Sequence, residues 1–307
     1  MESLSAITNH KSRMIPNVAS GFSRKIVTRF APSPTGYLHL GHVVNAIYVW
    51  GVARAAGGQV LLRIEDHDRI RCRPQFDTAL LEDLDWLGFV PDTAPGFGAT
   101  ILRQSDDPAA YEGALEHLRR TATVYACDCS RKDIGGERYP GRCRTRHLDE
   151  RPGRGLRVTI APGVERFDDL LLGPQEQTPA SQCGDLLLRD RDGQWTYQFA
   201  VTVDDSRQDV TLVIRGADLL SSTGRQLRLA RMLGRTDTPL FLHHPLVEKQ
   251  PGEKLSKSDG DTGVRDLRRL GITPSEVIGR AAAAAGLIAR ERPIDAANVG
   301  ALFGSSG

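Results

Sequence analysis

The sequence predicts an α/β fold built on a parallel sheet that one long insertion divides into two halves. Residues 25–31 (KIVTRFA) and 59–66 (QVLLRIED) have the composition of strands, and residues 42–58 between them carry apolar residues at helical spacing. This helical segment closes on a glycine pair that suits a helix C-cap. Strand, helix and strand in this order form a βαβ unit, whose strands are parallel and whose ligand-binding loops lie at their carboxyl ends.

Two further helices and an irregular segment follow this unit. Apolar residues recur at helical spacing over 76–89 and 107–125, and both segments are predicted helices. Residues 121–190 are rich in Arg, Gly and Pro and have weak periodicity. This composition is typical of an insertion made of loops and short strands.

Regular patterns return after the insertion and complete the first sheet. We predict strands at 196–205 (TYQFAVTVDD), 209–220 (DVTLVIRGADLL) and 239–247 (PLFLHHPLV), with an amphipathic helix at 223–234 (TGRQLRLARMLG). Residues 261–307, which include AAAAAGL, predict a small helical appendage.

These patterns divide the chain into five segments. We expect a disordered leader (1–24), the first half of the α/β domain (25–120), an insertion with clustered cysteines (121–190), the second half of the α/β domain (191–260) and the helical appendage (261–307).

The composition argues against a protein with an extended basic surface for nucleic acid and against a membrane-spanning or secreted protein. Forty basic and thirty-eight acidic residues give a net charge of +2, so any contact with RNA is expected to be local rather than spread over a basic surface. No apolar run reaches the ~20 residues of a membrane span, and the leader lacks the apolar segment of a secretory signal. We therefore expect a cytoplasmic protein without a membrane partner, and a monomer.

The loop after the first predicted strand, RFAPSPTGYLHLGH (29–42), has the residues of a phosphate-binding turn. A helix N-terminus carries unpaired N–H groups and a partial positive charge, and Gly36 and Gly41 allow a ligand to approach the backbone closely. His39 and His42, three residues apart, can point the same way if the helix begins near them. Alternatively, they are polar residues of a surface turn.

This string resembles the HIGH signature of class I aminoacyl-tRNA synthetases, in the APSPTGxLHxGH form of the glutamyl and glutaminyl branch. The resemblance implies a Rossmann-like parallel sheet. It also implies that His39, Gly41 and His42 bind ATP and that the two histidines are catalytic.

A second short segment, EKLSKSDG (253–260), resembles the KMSKS signature of the same class, with Leu255 where methionine is commonest. The resemblance implies that Lys257 is the main ATP-binding and catalytic lysine and that Lys254 supports it, with Mg²⁺ bound to ATP. Ammonium groups on a glycine-flanked loop can follow a departing pyrophosphate. Taken alone, two lysines three apart are typical of a solvated surface.

An amino-acid pocket is predicted from charged residues at strand ends. Glu65 can accept an α-ammonium group, and Arg29 and Arg215 offer planar forks that suit a side-chain carboxylate. Alternatively, Glu65 and Arg215 form a structural ion pair and Tyr197 is a core aromatic residue. The family resemblance implies a glutamate-binding set, which consists of Arg29, Ser33, Glu65, Tyr197 and Arg215.

Three of the five cysteines, Cys127, Cys129 and Cys143, lie close together in the sequence and predict a metal site. Three thiolates suit tetrahedral zinc, whose fourth ligand by spacing alone can be His147. The segment CDCSRKDIGGERYPGRC resembles that of the glutamyl-Q tRNA(Asp) synthetases, which implies Tyr139 as the fourth ligand and one structural zinc per chain. The alternative is a cluster of buried structural cysteines.

Only 49 residues follow Ser258, so we expect no anticodon-binding domain. With the cysteine pattern, this resembles the glutamyl-Q tRNA(Asp) synthetases. The resemblance implies that glutamate is activated by ATP without tRNA and is transferred to queuosine in the anticodon loop of tRNA(Asp). The alternatives are a catalytic fragment of a glutamyl-tRNA synthetase acting at the tRNA 3′ end, a small nucleotidyltransferase, and a catalytically silent tRNA-binding paralogue.

Overall fold

The computed structural model describes residues 25–250, 253–254 and 263–304, with backbone alone at 248–250 and 253–254. The predicted leader and the predicted ATP lysine Lys257 lie outside the described residues. Lys254 falls in a short strand whose side chains are not described.

Twelve strands are described. They are β1 (Val27–Phe30), β2 (Gln59–Ile64), β3 (Ile101–Arg103), β4 (Val124–Cys127), β5 (Gly155–Val158), β6 (Glu165–Asp169), β7 (Gly173–Gln177), β8 (Leu186–Arg189), β9 (Leu212–Gly216), β10 (Leu240–His244), β11 (Glu248–Gln250) and β12 (Glu253–Lys254).

The described ranges contain nine α-helices and three short 3₁₀ helices. The α-helices are α1 (Leu40–Ala55), α2 (Pro74–Leu87), α3 (Pro108–Thr121), α4 (Arg131–Ile134), α5 (Pro179–Gln182), α6 (Tyr197–Arg207), α7 (Thr223–Met232), α8 (Val264–Arg269) and α9 (Pro274–Ala284). The 3₁₀ helices are Gln104–Asp106, Ala217–Ser222 and Ala296–Leu302.

One parallel sheet and one mixed sheet with a parallel centre lie side by side and confirm the predicted α/β class. β1, β2 and β3 pair in parallel, and β10 pairs in parallel with β9 and with β6. Thr211, just before β9, joins the sheets, because its backbone N–H donates to the carbonyl of Val27 at 2.9 Å. The carboxyl ends of β1 and β9 therefore lie at one edge of the combined structure.

The predicted insertion contributes to two different sheets. β4, β5 and β8 form a separate antiparallel sheet. The β6–β7 hairpin instead extends the sheet of β9 and β10, with Asp169 opposite Phe241. The division at residues 121 and 190 stays a prediction, and β6 places its residues next to the α/β core.

One predicted element is wrong. TYQFAVTVDD was expected to be a strand, but Tyr197–Arg207 is helix α6. Its residues 199–205 are all buried. A helix that is buried all round lacks the polar face that reveals helical spacing, so its Thr and Val residues mimic a strand.

The main core lies between the first sheet and α1, whose residues 43–44 and 46–53 are all buried. The C-terminal residues Val299 and Phe303 pack into the same core. Gly51 of α1 allows this close approach, because a Cβ there would overlap the ring of Phe303. Across the described ranges, no helix is long and apolar enough to cross a bilayer.

We predict that Gly51→Ala destabilises the protein by about 1–3 kcal/mol, because the added methyl group overpacks the contact with Phe303. The matched control is Gly113→Ala in the exposed face of α3, where a Cβ meets no atom within 4 Å. There, the better helix former should stabilise by about 0.5–1 kcal/mol. Urea unfolding of both variants measures the two free energies. Equal effects of the same sign would contradict the packing described here.

Candidate active site

His39 and His42 close the N-terminus of α1 through a reciprocal cap. His39 is the N-cap residue, and its Nδ1 accepts the N–H of Gly41 at 3.1 Å. The Nδ1 of His42 in turn accepts the backbone N–H of His39, also at 3.1 Å. A neutral imidazole whose Nδ1 accepts a hydrogen bond carries its proton on Nε2. Each histidine therefore has an Nε2–H group that can donate to a phosphate.

A single cavity of about 390 Å³ lies at the carboxyl ends of β1, β2 and β9 and at the start of α1. The residues predicted for ATP and glutamate, where their side chains are described, all line it. They are Arg29, Ser33, His39, Gly41, His42, Glu65, Tyr197 and Arg215. The structure thus brings these eight residues together, while their roles stay predictions.

Arg29 is held at the floor of this cavity by a buried carboxylate that the sequence analysis missed. Its Nε donates to Asp205 Oδ1 at 2.9 Å, and its Nη2 lies 3.3 Å from Oδ2. Arg63, which is 1% exposed, shares Asp205 through a bond of 2.8 Å. Burial would raise the pKa of Asp205, but the two guanidinium groups outweigh it and lower the pKa to about 2.

Glu65 is linked to the same network and not to Arg215. Its Oε1 accepts a hydrogen bond from Arg63 Nη2 at 3.0 Å. Among the described residues, no ion pair joins Glu65 to Arg215, so the alternative of a structural pair between them is not seen. The carboxylate of Glu65 is buried and paired with Arg63 beside the cavity, where a ligand's ammonium group can approach it.

A second buried acid, Asp204, forms an ion pair with Arg63. Asp204 accepts hydrogen bonds from Gln104 at 2.8 Å and from Tyr111 at 3.0 Å, and burial raises its pKa. Two consecutive acids, Asp204 and Asp205, at the end of a largely apolar segment are the sequence signal that could have indicated a functional role for this segment.

Among the described residues, the hydrogen-bond partners of Arg215 are all neutral. Its guanidinium donates to Gln226 Oε1 at 2.7 Å, to Thr223 Oγ1 at 2.8 Å and to His243 Nε2 at 3.1 Å. Tyr197 lines the same cavity, and burial raises the pKa of its hydroxyl. His243 is not among the site residues predicted from the sequence, although it belongs to the paired histidines of PLFLHHPLV.

The cysteine cluster forms a compact donor set. The sulfur atoms of Cys127, Cys129 and Cys143 all lie within 4.8 Å of one another, so they can bind a metal ion. β4 ends at Cys127, and the turn after it brings Cys129 to the same side. His147 is not a member of this group in the described part of the chain.

Tyr139 adds an oxygen to the donor set. Its hydroxyl lies 3.5 Å from Cys127 Sγ and accepts the N–H of Cys143 at 2.9 Å. Burial would raise the pKa of Cys127, but its hydrogen bonds with Tyr139 and Arg157 outweigh this effect and lower that pKa. Three clustered thiols with a phenol oxygen next to Cys127 are a donor set that suits a tetrahedral metal site.

Comparisons with known proteins show the family to which the chain belongs. The family model for the catalytic domain of class I tRNA synthetases (E and Q) matches residues 25–281. A glutamyl-Q tRNA(Asp) synthetase of Burkholderia cenocepacia is 44% identical over 282 residues, which cover 87% of this chain and 90% of the relative. The enzyme of that name in Nitratidesulfovibrio vulgaris is 40% identical over 280 residues, which cover 85% and 86%.

A solved structure matches over most of the chain. The glutamate tRNA ligase of Elizabethkingia meningosepticum, in complex with its amino acid, superposes with a TM-score of 0.75 at 27% identity. The match covers 92% of this chain and 65% of the ligase, so this chain spans slightly less than two thirds of that enzyme.

We predict that Asp205→Asn destabilises the protein by about 3–5 kcal/mol at pH 7, because two buried guanidinium groups lose their shared carboxylate. The folded-state pKa of Asp205 lies below its ordinary value of 3.8. Its stabilisation is therefore complete above about pH 4 and is lost as the pH falls towards 2.

Urea unfolding of the unaltered protein and of the variant, at pH 7 and at successively lower pH, measures this difference. Glu116→Gln, which removes an exposed partner of Arg119, is the control and should cost less than about 1 kcal/mol. If Asp205→Asn lowers the free energy of unfolding as little as Glu116→Gln does, or if its effect grows as the pH falls, the ion pairs assigned to Asp205 are contradicted.

Proposed function

This chain belongs to the glutamyl-Q tRNA(Asp) synthetase family of class I tRNA synthetases, and from this premise we propose that it activates glutamate with ATP without tRNA and then transfers the glutamyl group to queuosine in the anticodon loop of tRNA(Asp). It is a ligase of the glutamate–tRNA ligase type. Activation of glutamate without tRNA and its transfer to queuosine are our proposal.

The observation that carries the proposal is the shared cavity. It joins a carboxylate, two buried guanidinium groups and a capped helix N-terminus within about 390 Å³. A carboxylate suits an α-ammonium group, a guanidinium suits a side-chain carboxylate, and a helix N-terminus suits phosphate. Glutamate and ATP together present these groups.

Each end of the cavity has a proposed occupant. The glutamate lies among Arg29, Ser33, Glu65, Tyr197 and Arg215, and the ATP phosphates lie against His39, Gly41 and His42. The α-carboxylate then faces the α-phosphate at the junction of the two groups. Proximity of these reactants supplies much of the rate acceleration.

In the first step, an oxygen of the glutamate α-carboxylate forms a bond to the α-phosphorus, and the bond from that phosphorus to the pyrophosphate oxygen breaks. His39 and His42 donate from Nε2–H to phosphate oxygens as their charge grows. The resemblance to the KMSKS signature implies that Lys254 and Lys257 bind the departing pyrophosphate. Mg²⁺ bound with ATP would add further screening of phosphate charge.

In the second step, a hydroxyl of the queuosine cyclopentene ring attacks the glutamyl carbonyl, and AMP leaves. The names of the relatives support this acceptor. Cytoplasmic location and a monomeric state stay predictions from the sequence.

We also propose that Cys127, Cys129, Tyr139 and Cys143 hold one structural zinc ion. The four protein ligands leave no open coordination position, so the metal would stabilise the sheet of β4, β5 and β8 rather than take part in the reaction.

We predict that the purified protein contains one zinc per chain and that Cys143→Ser removes most of it, because three thiolates share the ion. His147→Ala is the control and should leave the zinc content unchanged. Atomic absorption of the three proteins measures this. Full zinc in Cys143→Ser, or loss of zinc in His147→Ala, would contradict the assigned ligands.

Glutamate-dependent exchange of pyrophosphate into ATP without tRNA tests the first step, and we expect exchange with glutamate and little with glutamine. Transfer of labelled glutamate to tRNA(Asp), with and without queuosine, tests the second step. We expect label only on the queuosine-containing tRNA.

Three results would contradict the proposal. Equal labelling of tRNA(Asp) with and without queuosine, or stronger labelling of tRNA(Glu), would favour a glutamyl-tRNA synthetase. Exchange that needs tRNA would do the same. ATP binding with no glutamyl-adenylate formed would favour a catalytically silent paralogue.

A further inference from the structure

The two arginines of the cavity differ in how their charge is balanced. Arg29 forms a two-point ion pair with Asp205. Arg215 is 4% exposed, and among the described residues no carboxylate contacts it. Burial lowers its pKa, which reflects the cost of keeping this charge away from water. Arg215 therefore holds a buried charge that is available to a ligand.

The neutral partner His243 has a defined tautomer. Its Nδ1 lies 2.6 Å from Asp169 Oδ2, and a carboxylate can only accept, so the proton is on Nδ1. Nε2 is then an acceptor, and it lies 3.1 Å from the Nε–H of Arg215. Burial and the nearby charge of Arg215 lower the pKa of His243, so the ring is neutral at neutral pH.

Asp169 is itself held from several sides. Its Oδ1 accepts the N–H groups of Leu171 and Leu172 at 2.9 Å each, and its Oδ2 also accepts the backbone N–H of His243 at 3.0 Å. The side chains of Asp169 and His243 are both 0% exposed. The parallel pairing of β6 with β10 places the two residues together.

We propose that His243, oriented by Asp169, is a positioning residue for Arg215 and a determinant of specificity for an acidic side chain over its amide. This inference rests on the proposed function, because it assigns the side-chain carboxylate of glutamate to Arg215. A neutral acceptor fixes the edge of the guanidinium without cancelling its charge. A carboxylate in its place would bind Arg215 as Asp205 binds Arg29 and would compete with the substrate.

The discrimination against glutamine follows from the same arrangement. A glutamate carboxylate supplies the anion that the buried guanidinium lacks, whereas a glutamine amide leaves the charge uncompensated and turns an NH₂ donor towards other donors. If Arg215 is free to rotate, this difference shrinks, because its N–H groups no longer meet the carboxylate in a fixed plane.

Two variants of His243 separate positioning from structural support. His243→Ala removes the acceptor, and we expect the KM for glutamate in pyrophosphate exchange to rise about tenfold or more. The KM for ATP and kcat should change less than about threefold, and the preference for glutamate over glutamine should fall. His243→Gln, whose Oε1 can accept from Arg215 while its Nε2 donates to Asp169, should restore most of both.

His117→Ala, a histidine of α3 outside the cavity, is the matched control and should leave all these constants unchanged. Calorimetric titration with glutamate alone reports the same binding loss without turnover. A KM and a glutamate preference that stay within about twofold in His243→Ala would overturn the inference. Equal losses in the Ala and Gln variants would also overturn it.

The tautomer can be measured directly in the unaltered protein. Long-range ¹H–¹⁵N correlation, with the His243 signals assigned by their loss in His243→Gln, should show a neutral ring protonated on Nδ1. An Nε2–H tautomer or an imidazolium at neutral pH would contradict the inference. Absence of glutamate-dependent exchange in the unaltered protein would instead overturn the proposed function, and the specificity role with it.

Discussion

The buried carboxylate of Asp205 is the contact on which the site depends. It lies on α6, and it binds Arg29 from β1 and Arg63 from β2 within 2.9 Å. Three elements that are distant in the sequence are thereby held at the carboxyl edge of the sheet. Because two buried guanidinium groups share this anion, its removal would leave Arg29 without an ion-pair partner among the described residues and Arg63 with fewer acids around it. The ion pairs of Asp205 therefore form the floor of the cavity and also hold β1, β2 and α6 together.

The arginines of the site differ in whether an acid of the protein neutralises their charge. Arg29 and Arg63 are compensated by the protein's own acids, while Arg215 has neutral partners. The two histidines at the start of α1 cap the helix through Nδ1, which places the proton of each neutral ring on Nε2. The same two residues therefore cap the helix and line the cavity.

Much of the site could be predicted from the sequence, because its signals are local. His39 and His42 lie in a loop that leads into a predicted helix, Arg29 and Glu65 end predicted strands, and Arg215 lies on a later predicted strand. Asp205 and His243 could not be found this way, since the partners of Asp205 lie 176 and 142 residues away and His243 is fixed by Asp169 74 residues away. The burial of α6 on all sides concealed its helical period, and with it the acids that it carries.

A crystal structure with a non-hydrolysable analogue of glutamyl-adenylate would locate both substrates in the cavity. We expect the glutamyl side-chain carboxylate on Arg215, the α-ammonium group near Glu65 and the phosphate beside His39 and His42. We also expect the hydrogen bonds of Arg29 to Asp205 and of Arg215 to His243 to be unchanged. A side-chain carboxylate bound away from Arg215, or an analogue bound outside this cavity, would contradict the proposed site.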